Sequence, residues 1–166
     1  MDTYLAIASK RDTRSYADRP IPAEVEGRIL EAGRVAGSAR NRQDWRFLVI
    51  ESDELRRRVA EKVYAPANVL GAKLVIAIVG TAGGLDAGRC AQNMMLAAWN
   101  DGVVSCPNGI ADPDGAAALL GEEDERVIVV LSFGYSTRGA DPERRSAEEW
   151  LAQADRKPLG ELVVRL

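Results

Sequence analysis

No histidine occurs among the 166 residues of this chain. Its absence removes a histidine-based catalytic triad, a histidine-ligated metal site and an imidazole proton shuttle. An enzyme built from this chain must work through Cys, Lys, Tyr or carboxylate groups, or leave the chemistry to a bound cofactor. Cysteine is nearly as scarce. Cys90 and Cys106 are too few for a disulfide framework and lack the spacing of metal ligands, so no metal site is expected. Long apolar runs are missing too: Leu74 to Val79 falls far short of a membrane span, and the segment from Asp2 to Lys10 lacks the apolar core of a signal peptide. A cytoplasmic protein with no membrane partner is the expectation. A surplus of positive charge is also absent, since the formal net charge is -3. That balance argues against a nucleic-acid surface but leaves room for a local cationic cluster to meet an anion of phosphate size.

What is present describes a folded globular chain, with 46% hydrophobic and 28% charged residues. The length fits one domain, and no repeat or low-complexity linker divides it, so residues 1–166 are expected to form a single domain. Residues 2–9 have a short helical pattern, and Pro20-Ile21-Pro22 sets up a second helix through Val25, Ile29 and Ala32, with Gly37 as its stop. Phe47-Leu48-Val49-Ile50 is a compact apolar run that suits a buried strand over 46–51. Ser52 then caps a helix near 53–63. A second strand over 73–80 is broken by Gly80-Thr81-Ala82-Gly83-Gly84. The helix from Asp86 to about Asn100 is apolar over more than one face, which requires burial nearly all round, and a subunit interface would cover the second face. A short strand from Gly102 enters a loop through Cys106-Pro107-Asn108-Gly109, a short helix runs from Pro113 to a stop at Gly121, and a long strand spans 126–135. A charged helix follows near 142–153, and Leu162-Val163-Val164 could add a last strand. The loose alternation of helices and strands predicts an α+β or three-layer α/β/α fold.

Several segments could carry chemistry. Lys10-Arg11-Asp12-Thr13-Arg14-Ser15 gathers three cations and two hydroxyls in one loop. It serves either as a solvated basic turn or as an anion seat, where guanidinium forks and hydroxyls match phosphate oxygens. Ser38-Ala39-Arg40-Asn41-Arg42-Gln43-Asp44-Trp45 carries amide side chains that offer both donors and acceptors, as the edge of a heteroaromatic ring requires, or that merely form a polar loop. No G-x-G-x-x-G is present, and the glycines at 80–84 lack the G-K-[ST] ending of a P-loop. Cys106, with no histidine to activate it, is expected to be a small packed residue rather than a nucleophile. Asp155-Arg156-Lys157-Pro158-Leu159 forms a second cationic turn.

Taken in order, these segments resemble the nitroreductase family along nearly the whole chain. The resemblance is carried by Lys10 to Tyr16 with Pro20-Ile21-Pro22, Ser38 to Trp45, Ala91-Gln92-Asn93-Met94 within the apolar helix, and Gly134-Tyr135 with Arg156-Lys157-Pro158-Leu159. It implies an α+β flavoprotein fold, a mixed sheet wrapped by helices, with the apolar helix central at the interface of a homodimer. It also implies one FMN at each of two sites built by both subunits, with NADH or NADPH as co-substrate and a nitroaromatic or quinone as the small-molecule acceptor in a ping-pong cycle. No side chain is then catalytic, since hydride passes through flavin N5.

On this similarity Lys10, Arg11, Asp12 and Arg14 fall where the family holds the FMN phosphate and ribityl chain, and Arg156 falls where a late arginine reaches the same phosphate. Ser38, Asn41 and Gln43 fall where the ribityl and ring are contacted, from the partner subunit. Backbone amides of the Cys106, Pro107, Asn108 and Gly109 loop face the ring. Lys10 stands where Arg is usual, Asp12 where a hydroxyl residue is frequent, and Asp44 where Pro is common. Only about twenty residues separate the first two strands, which implies a differently built cover over the substrate. A flavin-binding or sensor protein without turnover, or a flavin enzyme of oxygen-dependent or dehalogenating chemistry, is the alternative on the same fold.

Overall fold

A computed structural model describes residues 1–81, 83–120 and 124–166. In chain order the elements are α1 (Thr3–Ser9), α2 (Ala23–Arg34), β1 (Trp45–Val49), α3 (Asp53–Ala60), α4 (Pro66–Gly71), β2 (Leu74–Gly80), α5 (Gly84–Asn100), β3 (Val103–Asn108), α6 (Pro113–Leu120), β4 (Arg126–Tyr135), α7 (Ala147–Ala152) and α8 (Leu159–Leu162). The chain forms two compact units, Arg11–Ala140 and a smaller one that joins Met1–Lys10 to Asp141–Leu166.

The larger unit is organised by β2. All seven of its residues are buried, which explains its unbroken apolar run. The strand order is β1-β2-β4-β3, with every neighbouring pair antiparallel. Because side chains alternate along a strand, Leu74, Ile76 and Ile78 meet α2 and α5 on one face, while Val75, Ala77 and Val79 meet α3, α4 and α6 on the other. This is an α/β/α arrangement of the α+β class. Ile76, Ile78, Leu131 and Phe133 are completely enclosed. Each such side chain contributes roughly 1.5–3 kcal/mol by leaving water. Where β2 ends, Gly80 has φ +140°, and a Cβ there would lie 3.0 Å from the Cα of Trp45, so glycine alone fits this approach to β1.

Several boundaries differ from the sequence expectation. The second helix stops at Arg34 instead of reaching Gly37, because a tighter turn in which Ala36 N–H bonds the Gly33 carbonyl carries Ala36 into the core. Helix α3 ends at Ala60, and a separate helix, α4, starts with Pro66 in its first turn. The charged helix expected over 142–153 is a 3-10 turn at Pro142–Arg144 followed by α7, whose start is fixed by a Ser146–Glu149 capping box. Leu162 closes α8 instead of opening a strand, and Val163 and Val164 have no ladder partner among the described residues. The expected stop at Gly121 and the Ala82 position of the expected break lie outside the described residues. In the smaller unit, Asp2 caps α1 by accepting from the Tyr4 and Leu5 amides at 2.9 and 3.0 Å. Trp150 is buried beside it, with its indole N–H donating to the Pro142 carbonyl at 2.8 Å.

Candidate functional site

β3 lies at the edge of the sheet, and its outer side is occupied at two points. Near its middle the basic turn docks, with the Thr13 N–H donating to the Ser105 carbonyl at 3.0 Å and Asp12 making a parallel bridge to Ser105. Just past its end the Tyr64 N–H donates to the Gly109 carbonyl at 3.1 Å, and Val63 bridges Ile110. Pro107 is exposed between these two points. A proline fits there because an edge strand has no neighbour waiting for its missing N–H.

The segment expected to be a loop through Cys106, Pro107, Asn108 and Gly109 is therefore mostly strand, paired with β4 from Val103 to Asn108. Backbone groups in an antiparallel ladder alternate in direction. Since Ser105 turns its carbonyl outward, Pro107 and Gly109 also turn outward, while Cys106 and Asn108 turn toward β4. The Cys106 and Asn108 side chains are buried as well. This corrects the expected amide row: the outward positions are 105, 107 and 109, and position 107 brings no N–H.

Beside this edge the basic turn faces the loop that follows β4. Asp12, Thr13, Arg14 and Ser15 line a cleft of about 440 Å³ with Ser136, Thr137, Arg138 and Gly139. The Ser15 and Thr137 hydroxyls are 3.0 Å apart, and the Ser136 hydroxyl accepts from the Arg138 N–H at 3.1 Å. Tyr16 closes the turn with a bridge to Ser136, and the Ala17 N–H bonds the Tyr135 carbonyl at 2.7 Å. Two guanidinium-bearing residues and several hydroxyls on one concave surface are the donor set that a phosphate monoester requires.

Ser38, Asn41 and Gln43 also come together, but around their own loop. The Ser38 hydroxyl accepts from the Gln43 N–H at 3.0 Å, and the Gln43 side-chain amide donates to Asn41 Oδ1 at 3.2 Å. Arg40, Asn41 and Gln43 all have φ near +55°, a left-handed conformation that is strained for such residues and typical of ligand clamps. The Ala39 N–H donates to Asp86 Oδ2 at 3.0 Å, tying this loop to the first turn of α5.

The sequence profile of the nitroreductase family matches residues 7–84 and 81–135. The chain belongs to the nitroreductase family. A Methanothermobacter thermautotrophicus protein, provisionally named an NADH dehydrogenase/NAD(P)H nitroreductase, is 29% identical over 90% of this chain and 88% of its own length. The DrgA protein of Synechocystis is 27% identical over 98% of this chain and 95% of its own. Among solved structures, a nitroreductase family protein of Clostridium difficile superposes with a TM-score of 0.81 at 24% identity, covering 99% of this chain and 98% of that one. The fold of this nitroreductase-family chain is thus the family's fold.

Of the cationic residues singled out from the sequence, Arg11 and Arg14 belong to the larger unit with β3. Lys10 and Arg156 belong to the smaller unit, where Lys10 ends α1 and the Arg156 guanidinium donates to the Ala154 and Asp155 carbonyls at 2.8 and 3.1 Å. Sequence reasoning missed Ser136, Thr137 and Arg138; the signal was a Ser-Thr-Arg-Gly run directly after a buried strand. It also missed the hydroxyl of Ser105, which is buried with no hydrogen-bond partner. An unsatisfied buried hydroxyl costs about 1–3 kcal/mol. The donor set of the nearby cleft fits a phosphate monoester, the group that a cofactor such as FMN carries.

Proposed function

We propose that this chain is a cytoplasmic FMN-dependent oxidoreductase that takes reducing equivalents from NADH or NADPH and delivers them to a small electrophilic acceptor, a nitroaromatic or a quinone, in a ping-pong cycle. The cleft between the basic turn and the loop after β4 carries this reading, because its donors suit a phosphate and it lies where the basic turn docks on β3. The bound flavin would supply the hydride-accepting and hydride-donating centre, which suits a chain without histidine. Arg14 and Arg138 hold the phosphate, with Arg11 and Asp12 on the same turn. Thr13, Ser15 and Thr137 fill remaining oxygen contacts. The 105–109 edge borders the ring. For Lys10 and Arg156 a phosphate role rests on the family resemblance alone. Residues 1–166 act as one functional domain.

A homodimer completes this reading. The outer stripe of α5 presents Leu85, Gly88, Arg89 and Gln92 along an open groove, and Leu85 is 78% exposed. The exposed Leu85, beside Gly88 on a helix whose other face is buried in the core, is suited to contact with a second copy. In the smaller unit, Leu159, Leu162 and Val164 are exposed separately. Ser38, Asn41 and Gln43, on the loop tied to α5, then serve the flavin held by the partner subunit.

The purified protein is expected to be yellow and to release FMN. Stopped-flow mixing with NADH or NADPH is expected to bleach it, which a binder without turnover would not do. Replacing Arg14 by Ala removes a charge-assisted hydrogen bond of roughly 1.5–3 kcal/mol, a tenfold to hundredfold loss in FMN affinity. Riboflavin, which has no phosphate, should bind the variant as before. A colourless protein that takes up no added FMN would overturn the proposal.

A further inference from the structure

Four polar side chains form a connected line through the largely apolar interior of the larger unit. The Tyr16 hydroxyl lies 2.8 Å from Ser132 Oγ, Asn108 Nδ2 lies 3.1 Å from the same oxygen, and Asn68 Nδ2 donates to Asn108 Oδ1 at 2.9 Å. Ser132, Asn108 and Asn68 are all buried. Asn108 also donates to the Val130 and Cys106 carbonyls at 3.0 and 3.1 Å, and Ser132 Oγ donates to the Cys106 carbonyl at 3.2 Å.

The line is continuous. The Tyr16 and Ser132 hydroxyls share a hydrogen bond, and the phenol oxygen also lies 3.3 Å from the Ser132 carbonyl. The two amide hydrogens of Asn108 are shared among the Val130 carbonyl, the Cys106 carbonyl and Ser132 Oγ, while Asn68 donates to Asn108 Oδ1. The line thus meets the β3–β4 ladder from both sides.

The two ends of the line sit on the two segments that dock on β3. Tyr16 closes the basic turn whose Thr13 is bonded to Ser105. Asn68 lies in α4, directly after the stretch whose Tyr64 is bonded to Gly109. Those docking points bracket Pro107. Apolar residues of similar volume would fill this interior without the cost of burying so many polar atoms, so a line of amides and hydroxyls at this place points to a geometric role.

We propose that Tyr16 and Asn68 are positioning residues that, acting through Ser132 and Asn108, set the spacing between the cationic turn and the exit of β3, and with it the register in which the two ends of FMN are held. The inference rests on the FMN reading above. Neither residue touches the cofactor.

The test uses the full chain and the variants Tyr16→Phe, Asn68→Leu and their combination, with dissociation constants for FMN and for riboflavin and the melting temperature of each apoprotein. Each single variant should weaken FMN about tenfold and riboflavin at most about twofold, because riboflavin has no phosphate end to hold in register. The double variant should be little worse than either single one, since both interrupt the same line. Equal losses for the two flavins, losses that multiply in the double variant, or a lower melting temperature with both affinities unchanged would each assign the line to stability alone and overturn the inference while leaving FMN binding intact. A wild-type protein that binds neither flavin would overturn both readings. Tyr16→Phe removes one oxygen and keeps the ring in place, so it decides the question if Asn68→Leu does not fold.

Discussion

Replacing Gly134 by Ala tests how firmly the basic turn is seated on the sheet. Gly134 lies in β4, and a Cβ added there would stand 2.7 Å from Tyr16 Cδ1 and 2.9 Å from Tyr16 Cβ and Cγ. These are not the tip of a mobile side chain. The Tyr16 backbone is bridged to Ser136 and its hydroxyl is bonded to Ser132, so the ring can retreat only by releasing both. Overpacking of this kind costs roughly 1–3 kcal/mol, and losing one buried hydrogen bond adds about 0.5–1.5 kcal/mol. The expected total is about 2–4 kcal/mol, which for a chain of this length lowers the melting temperature by roughly 5–15 °C. Urea unfolding of Gly134→Ala, Tyr16→Ala and the double variant separates the causes. Without the tyrosine ring the added methyl has room, and its cost should fall below about 0.5 kcal/mol. The same cost in both backgrounds, or a cost below about 1 kcal/mol in the wild type, would refute the clash.

Burial is the main influence on the Tyr16 phenol and pushes it from 10.0 up to about 12, with its bond to Ser132 acting in the opposite direction. The folded state thus holds this proton more tightly than the unfolded chain, so the associated stability, of order 2 kcal/mol, is complete below pH 10 and is lost as pH rises toward 12. Urea midpoints measured across that window should fall more steeply for the wild type than for Tyr16→Phe; parallel curves would count against it. On the outer face of α5, a Cβ at Gly88 meets nothing within 4 Å in the single chain. Gly88→Glu should therefore leave the fold of the protomer unchanged by circular dichroism and convert a dimer to a monomer in sedimentation; a dimer that survives the charge would place the interface elsewhere.

Much of the fold was legible because its signals are local. The apolar run of β2, the Ser52 cap and the length of α5 follow from composition and spacing, and the structure places each within a residue or two. What escaped depended on contacts distant in sequence. Pro107 read as a loop residue, yet it sits in a strand because β3 is at the sheet edge, a fact set by strand order. Asn68 and Ser132 each interrupt an apolar stretch, and nothing nearby shows that they share a hydrogen-bonded line across about sixty residues of chain. Val163 and Val164 have strand-like composition, but composition supplies no partner. The site divided in the same way: the basic turn was visible as a cluster of charge, whereas Ser136, Thr137 and Arg138 became its counterpart only through the Tyr16–Ser136 bridge.

The missing histidine bears on this arrangement as much as on the chemistry. A line built through an imidazole would gain or lose a proton near neutral pH and change which of its atoms donate. The line found here consists of a phenol, a hydroxyl and two carboxamides. The amides and the serine hydroxyl do not titrate, and burial raises the phenol's pKa, so it stays protonated well above neutral pH. Its donor pattern is therefore the same throughout the range in which a nicotinamide-linked oxidoreductase works. A scaffold that leaves proton and hydride traffic to a cofactor gains nothing from a titrating group in its supports, and it would lose a fixed spacing by having one.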